Sequence, residues 1–179
     1  YAVSFDEKDI RSMGRSAAGV RGIRLRDNDY VIGSAILEPE SKVFVISENG
    51  YGKQTAASEY PIKGRGGKGI KTTNITEKNG PLAGLTTVNG DEDIMVITDK
   101  GVMIRFNISD VSETGRATLG VRLINLGADS IVSTMTKVEP EDENENSEET
   151  TQEVSTEISD DTKDSDVARL LDAAQKDDE

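Results

Sequence analysis

The amino-acid sequence predicts an all-β protein made of four-stranded antiparallel blades, followed by an acidic tail. Three observations support this fold: a basic motif that recurs every 50 or 51 residues, short apolar segments between turn residues, and an abrupt change of charge near residue 138. A period of about 40 to 50 residues is typical of propeller blades and other repeat arrays. Two complete repeats flanked by incomplete ones indicate a partial arc rather than a closed ring.

The repeated motif combines two glycines with two basic residues. The glycines are expected in turns, because glycine accepts positive φ at little cost. A cation that returns at the same place in every repeat predicts a positive stripe on the assembled array, and such a stripe suits a long polyanion. The three copies are Gly14-Arg15 with Gly19-Val20-Arg21, Gly64-Arg65 with Gly69-Ile70-Lys71, and Gly115-Arg116 with Gly120-Val121-Arg122.

Each repeat contains up to four short strand-like segments after its motif. The first follows the motif directly, and the Asn49-Gly50 pair indicates a tight hairpin between the third and the fourth. Blades are therefore predicted near residues 14–63, 64–114 and 115–138. The later strands are predicted at 30–36, 82–88 and 130–137 (second), 42–47 and 93–98 (third), and 52–57 and 103–108 (fourth), with residues 1–5 aligned to a fourth strand.

Composition divides the chain into a body, residues 1–138, and a tail, residues 139–179. Residues 1–137 contain 18 Lys and Arg against 17 Asp and Glu, whereas residues 138–179 contain 3 against 17. The body is long enough for one modest core. The tail has too few apolar residues to offset its ordering entropy, so it is predicted to be disordered and to compete with polyanions for the stripe. Within it, residues 166–176 have the apolar spacing of a short amphipathic helix.

Residue usage argues against several classes of function. The chain has no Cys and no His, which removes disulfides, thiolate metal sites and the commonest general base. Residues 64–69 spell G-x-G-x-x-G, but a strand-like segment follows instead of the helix that a dinucleotide site needs. Aromatic residues make up 4% of the chain, too few for stacking single-stranded nucleic acid. We expect no catalytic residue, cofactor, metal site or membrane span in this chain.

Duplex DNA is the polyanion that the basic segments favour. Residues 11–26 hold five Arg and no acid, and residues 63–71 hold four basic residues and no acid. No repeated polar side chain is placed to distinguish bases, so contacts to the phosphate backbone are expected. Arg105, between Ile104 and Phe106, could instead be a structural residue. The predicted DNA contacts are Arg15, Arg21, Arg24, Arg26, Lys53, Lys63, Arg65, Lys68, Lys71, Arg116 and Arg122.

The motifs resemble those of a known family. Residues 11–25 and the segments 49–53 and 59–61 are similar to the C-terminal domain of the DNA gyrase A protein, and the resemblance covers essentially all of residues 1–138. It implies a six-bladed β-pinwheel whose basic rim wraps duplex DNA, so that the gyrase introduces negative supercoils. Residues 63–69 match the family's heptapeptide Q-R-R-G-G-K-G except at the first two positions, and lie in a later blade. The special wrapping role of that heptapeptide is therefore not transferred.

The resemblance also implies partners outside this chain. They are the rest of the gyrase A protein together with the gyrase B protein in an A2B2 heterotetramer, with ATP and Mg²⁺ bound by other domains in the bacterial cytoplasm, on the nucleoid. The chain begins at Tyr1, without Met and inside a strand-like pattern, so we expect it to be part of a longer protein. Two alternatives remain open: the C-terminal domain of the A subunit of topoisomerase IV, and a non-enzymatic β-propeller-like protein-interaction module.

Overall fold

The computed structural model describes residues 1–127 and 129–140, whose regular structure consists of antiparallel β-sheets and short 3-10 turns. One sheet has the strand order β3-β1-β2-β6 and the other β5-β4-β7. The predicted all-β, antiparallel blade architecture is therefore confirmed. The predicted helix at 166–176 lies outside the described residues. The strands are β1 (Lys42–Ser47), β2 (Tyr51–Ala56), β3 (Leu82–Val88), β4 (Asp93–Thr98), β5 (Met103–Asn107), β6 (Val121–Arg122) and β7 (Val132–Val138).

The central strand β1 is buried on both faces. Val43 and Val45 face one apolar cluster, which also contains Tyr60, while Phe44 and Ile46 face the other. Such a strand has an almost continuous apolar sequence because neither face meets water. The second cluster joins the two sheets, since β4 and β7 also contribute buried side chains to it. The core thus lies on both sides of β1 and fixes where the loops emerge.

The hairpin between β1 and β2 forms where the Asn-Gly pair predicts it. Gly50 has a φ of +77°, and a Cβ on this residue would lie 2.8 Å from the Ile124 carbonyl oxygen. Both the backbone conformation and the available space therefore require glycine. The side-chain amide of Asn49 donates to the carbonyls of Glu77 and Lys78, so the turn also holds the loop before β3.

The strands of one sheet come from three successive sequence repeats. β3, the second strand of its repeat, pairs with β1 of the preceding repeat, and β7 pairs with β4 in the same way. β6, the first strand of the third repeat, pairs with β2 of the first repeat. The strands of one sheet therefore do not coincide with one contiguous sequence repeat. The prediction of one blade for each contiguous repeat differs from the structure in this respect.

This offset explains why the predicted strand at 30–36 is wrong. Residues 30–36 have no strand assignment, and Tyr30 and Ile36 are exposed. In the other two repeats the second strand pairs with the third strand of the preceding repeat, and residues 30–36 have no strand of this kind beside them among the described residues. The first strands are also shorter than predicted: only Val121–Arg122 forms a ladder, while Ile23 and Ile70 make single bridges. Residues 1–5 likewise contribute one bridge, from Ala2 to Ile70.

Candidate nucleic-acid interface

The three copies of the basic motif lie in turns that contact one another in chain order. We call residues 14–21, 64–71 and 115–122 the first, second and third rim turns. The backbone N–H of Arg24, just after the first rim turn, donates to the carbonyl of Gly67 in the second rim turn at 2.8 Å. At the next junction the backbone N–H of Asn74 donates to the backbone carbonyl of Thr118, in the third rim turn, at 3.1 Å. The rim turns therefore form a continuous series along the described residues.

The second glycine of each motif has a structural cause. Gly19, Gly69 and Gly120 all have positive φ, between +75° and +84°. A Cβ on Gly120 would lie 2.6 Å from the Gly52 carbonyl oxygen, and one on Gly69 would lie 2.7 Å from that of Ala2. The positive φ confirms the turn role expected for these glycines, and at Gly69 and Gly120 the missing Cβ also lets the rim turn pass close to an earlier backbone segment.

Most of the predicted contact residues are on the surface. Arg15 has neither a hydrogen bond nor an ion pair within residues 1–127 and 129–140, and Lys68 is also free there. The Arg26 guanidinium stacks 3.4 Å from the centre of the Tyr1 ring. The exposed members of the predicted set are Arg15, Arg21, Arg24, Arg26, Lys63, Arg65, Lys68, Lys71 and Arg122.

Lys53 is not part of this surface, which corrects its assignment as a DNA contact. The residue is 1% exposed, and its ammonium donates to the carbonyls of Gly115 and Arg116 and to the Thr118 hydroxyl. Burial lowers the pKa of Lys53 to about 8, an effect that nearby Glu59 opposes. An enclosed ammonium with three acceptors is directed away from solvent. Lys53 therefore supports the third rim turn from inside the fold.

The second and third rim turns use their first arginine to contact the preceding repeat. Arg65 donates to the carbonyls of Asp9 and Arg21, at 3.0 and 3.4 Å. Arg116, which is partly buried, donates through Nη1 to the Lys71 carbonyl at 3.1 Å. These two arginines are thus not simply free surface cations.

Arg122 is oriented by an aromatic side chain. Its Nε and Nη2 donate to the Tyr51 hydroxyl at 3.1 and 2.9 Å. Lys78, which the sequence analysis did not single out, has its ammonium 5.6 Å from the centre of the same ring. Arg122 and Lys78 line a cleft of about 200 Å³ together with Asn125. Lys78 is not a position of the repeated motif, so the sequence does not point to it. The fold brings it near Arg122 because both side chains lie against the Tyr51 ring.

Arg105 has the structural role that the sequence left open. Its Nε donates to the Asp93 carboxylate at 2.7 Å across the β4–β5 pair, and its Nη2 donates to the Glu139 carbonyl at 3.1 Å.

Among residues 1–127 and 129–140, no group of three or more His, Cys, Asp or Glu side chains could hold a metal ion. A search of the same residues for a helix long and apolar enough to cross a membrane finds none.

Antiparallel sheets shared between successive repeats, with cationic turns in series along them, define a propeller-like repeat protein with a basic edge. The chain belongs to the DNA gyrase C-terminal domain family, because the family model described as "DNA gyrase C-terminal domain, beta-propeller" matches residues 1–38, 41–89 and 92–139.

Curated relatives agree with this family. The DNA gyrase A protein of Staphylococcus epidermidis is 52% identical over 144 residues, and that of Staphylococcus aureus is 49% identical over the same length. Each match covers 79% of this chain but 16% of the relative, so the chain spans about a sixth of their length. Between the two topoisomerase families that the sequence left open, these relatives support gyrase.

Solved structures have the same fold. The structure of a DNA gyrase A C-terminal domain superposes with a TM-score of 0.69 at 25% identity, covering 74% of this chain and 45% of that one. The C-terminal domain of a DNA topoisomerase IV superposes with a TM-score of 0.73 at 23% identity, covering 78% of this chain and 44% of the other. The second similarity concerns the fold alone.

Proposed function

We propose that residues 1–138 bind duplex DNA along the rim turns, through the phosphate backbone and with little sequence preference. The observation that carries this proposal is the recurrence of exposed cations at equivalent places in successive, contacting turns. The second basic position of the motif is exposed in all three turns, at Arg21, Lys71 and Arg122, without an acidic side chain as partner among the described residues. Cations in series neutralise successive phosphates and release counterions, which favours binding without base contacts.

Double-stranded DNA fits the rim better than single-stranded nucleic acid. The exposed aromatic residues are Tyr1 and Tyr30 among those described, and Tyr1 is already stacked on Arg26. Recognition of single strands depends on several aromatic platforms, whereas duplex DNA is bound through its phosphates and its capacity to bend. A duplex that contacts all three rim turns would follow the curvature of the array, so binding and bending are expected together.

At the level of the whole protein, we infer that this region serves an ATP-dependent type II topoisomerase. Its relatives are gyrase A proteins, and the bent duplex would be presented to the enzyme so that it introduces negative supercoils. The proposed partners are the remainder of the gyrase A protein and the gyrase B protein in an A2B2 assembly, with ATP and Mg²⁺ bound outside this chain. The proposed location is the bacterial cytoplasm, on the nucleoid.

The proposal is tested by titrating a labelled duplex with the full chain at several salt concentrations. Each neutralised phosphate should contribute about −0.9 to the slope of log affinity against log salt. A double variant, Arg15→Gln with Lys68→Gln, should reduce the magnitude of that slope by about 2 while leaving the circular dichroism spectrum unchanged. Absence of binding at low salt would contradict the proposal and would favour a protein-interaction module instead.

A further inference from the structure

Both junctions between rim turns contain an arginine whose guanidinium donates to the backbone carbonyl of the second basic residue of the preceding rim turn. At the first junction, Arg65 Nε donates to the Asp9 carbonyl at 3.0 Å and Nη1 donates to the Arg21 carbonyl at 3.4 Å. Asp9 ends a short 3-10 turn, and Arg21 is the second basic residue of the first rim turn. One guanidinium therefore joins two separate earlier segments of the chain, the 3-10 turn that ends at Asp9 and the end of the first rim turn.

The second junction repeats the contact to the second basic residue, but its other contact is to a carboxylate instead of a backbone carbonyl. Arg116 Nη1 donates to the Lys71 carbonyl at 3.1 Å, and its Nε lies 3.8 Å from the Glu59 carboxylate. The backbone N–H of Arg116 also donates to that carboxylate at 3.0 Å. Glu59 and Lys71 occupy the same motif positions as Asp9 and Arg21, five residues before and seven residues after the first glycine.

Arginine suits this position because its planar guanidinium presents several donors in fixed directions. Arg65 binds two acceptors on different segments at once, whereas Arg116 donates to the Lys71 carbonyl and forms an ion pair with the Glu59 carboxylate. A lysine ammonium lacks the planar geometry that serves two such directions. One acceptor at each junction is the carbonyl of a basic rim residue, Arg21 or Lys71. The contact thus fixes the backbone from which a DNA-facing side chain of the neighbouring repeat projects.

We propose that Arg65 and Arg116 are inter-repeat struts: positioning residues that hold consecutive rim turns at a fixed spacing, in addition to any phosphate contact. Their consequence for DNA rests on the proposed function, since a fixed spacing matters only if a duplex spans the turns. A strut makes the array resist the strain of a bent duplex, so losing it reduces bending more than it reduces affinity.

Arg15 provides a matched control. It occupies the same motif position, but it makes no hydrogen bond or ion pair within the described residues. Arg15→Gln removes one rim charge alone, whereas Arg116→Gln removes the charge and the strut. Arg116→Lys keeps the charge but replaces the planar guanidinium that lies between the Lys71 carbonyl and the Glu59 carboxylate, so it separates the two contributions.

The first test measures amide hydrogen exchange of the full chain without DNA. Loss of hydrogen bonds of ordinary strength should accelerate exchange about five- to tenfold at residues 71–74 in Arg116→Gln and Arg116→Lys. Arg65→Gln should do the same at residues 21–24, and Arg15→Gln should leave both segments unchanged. Unchanged exchange in all strut variants would overturn the proposal, whether or not the protein binds DNA.

The second test measures bending of a duplex labelled at both ends, by energy transfer, at saturating protein. Arg116→Lys should retain most of the salt dependence of binding but reduce the bend, whereas Arg15→Gln should weaken binding and preserve the bend. Equal bends for all variants would overturn the mechanical role. If the wild type fails to bind DNA but the strut variants show the expected faster hydrogen exchange, the positioning role of Arg65 and Arg116 is supported and the proposed DNA-binding function is contradicted.

Discussion

The first and third rim turns carry the same motif but are held in different ways. The first is closed by one backbone hydrogen bond, from the Ala17 N–H to the Gly14 carbonyl, and Arg15 has no partner among the described residues. The third is bound by two residues of the first repeat, Lys53 from the interior and Glu59 through its carboxylate. A sequence repeat therefore specifies where charges recur, while the neighbouring repeats determine which of those charges remain available to a ligand.

The largest effect is expected from placing a side chain where the third turn passes a strand. Gly120→Ala adds a Cβ 2.6 Å from the Gly52 carbonyl oxygen at a φ of +84°, so it should lower the free energy of unfolding by about 3 kcal/mol or more. Gly19→Ala meets nothing within 4 Å at a φ of +81° and should cost about 1 kcal/mol. Urea denaturation measures both; equal losses would show that the close approach is not important.

The next largest effect concerns the interior support of the third turn. Lys53→Met keeps the apolar stem but leaves carbonyls of Gly115 and Arg116 without their donor, which should cost about 2 to 3 kcal/mol of stability. Lys68→Met removes an exposed ammonium and should change stability by less than about 0.5 kcal/mol. If the two variants unfold at the same urea concentration, the enclosed ammonium does not hold the turn.

The loop between β3 and β4 contains a carboxylate, Glu92, that should stabilise the fold in a pH-dependent way without contacting a rim turn. Although partial burial raises the pKa of Glu92, hydrogen bonds from the N–H groups of Gly90 and Asn89 outweigh it and lower the pKa to about 2. The resulting stability is complete above the unfolded pKa of 4.5 and is lost as the pH falls through about 2.

Glu92→Gln should therefore lower the free energy of unfolding by about 1 to 2 kcal/mol at neutral pH, and the difference from wild type should shrink in acid. DNA affinity should not change, because Glu92 contacts the β3–β4 loop and Lys137 rather than a rim turn. Thermal unfolding across an acid titration measures this. A difference independent of pH would contradict the role of the carboxylate charge.

The smallest effect is expected from deleting the acidic tail, residues 139–179. Its negative charge should compete with DNA for the exposed cations that have no partner, such as Arg15 and Lys68, rather than for Arg65 and Arg116. Deleting residues 139–179 should tighten duplex binding about three- to tenfold at low salt and less at high salt, because mobile ions screen the tail. Amide NMR should show shifts at 14–26 and 63–71 that vanish on truncation. Unchanged affinity at low salt would exclude competition by this segment.

The local parts of the fold could be predicted from the sequence, and the long-range parts could not. Strands β1, β3 and β4 follow from apolar segments bounded by turn residues, and the Asn49-Gly50 hairpin follows from turn chemistry. The segment 30–36 has a similar composition, but its pairing depends on a strand of another repeat. Local pattern cannot show that dependence.

The same limit applies to the candidate site. Exposed cations such as Arg15 and Arg21 follow from the motif, whereas the burial of Lys53 depends on which segment of the third repeat covers it. An acidic residue stands five positions before the first glycine of every motif, at Asp9, Glu59 and Asp110. This recurrence is only a partial signal for the struts, because Arg116 meets the Glu59 carboxylate whereas Arg65 contacts the backbone carbonyl of Asp9.

Mapping the contact surface tests the central claim most directly. Amide hydrogen exchange of the full chain, measured with and without saturating duplex DNA, should show protection in all three segments 11–26, 63–71 and 115–122. Strands β1 and β4 should be unchanged, because they lie in the core rather than on the rim. Protection confined to one rim turn, or found only on other surfaces, would contradict the account of a continuous DNA-binding edge.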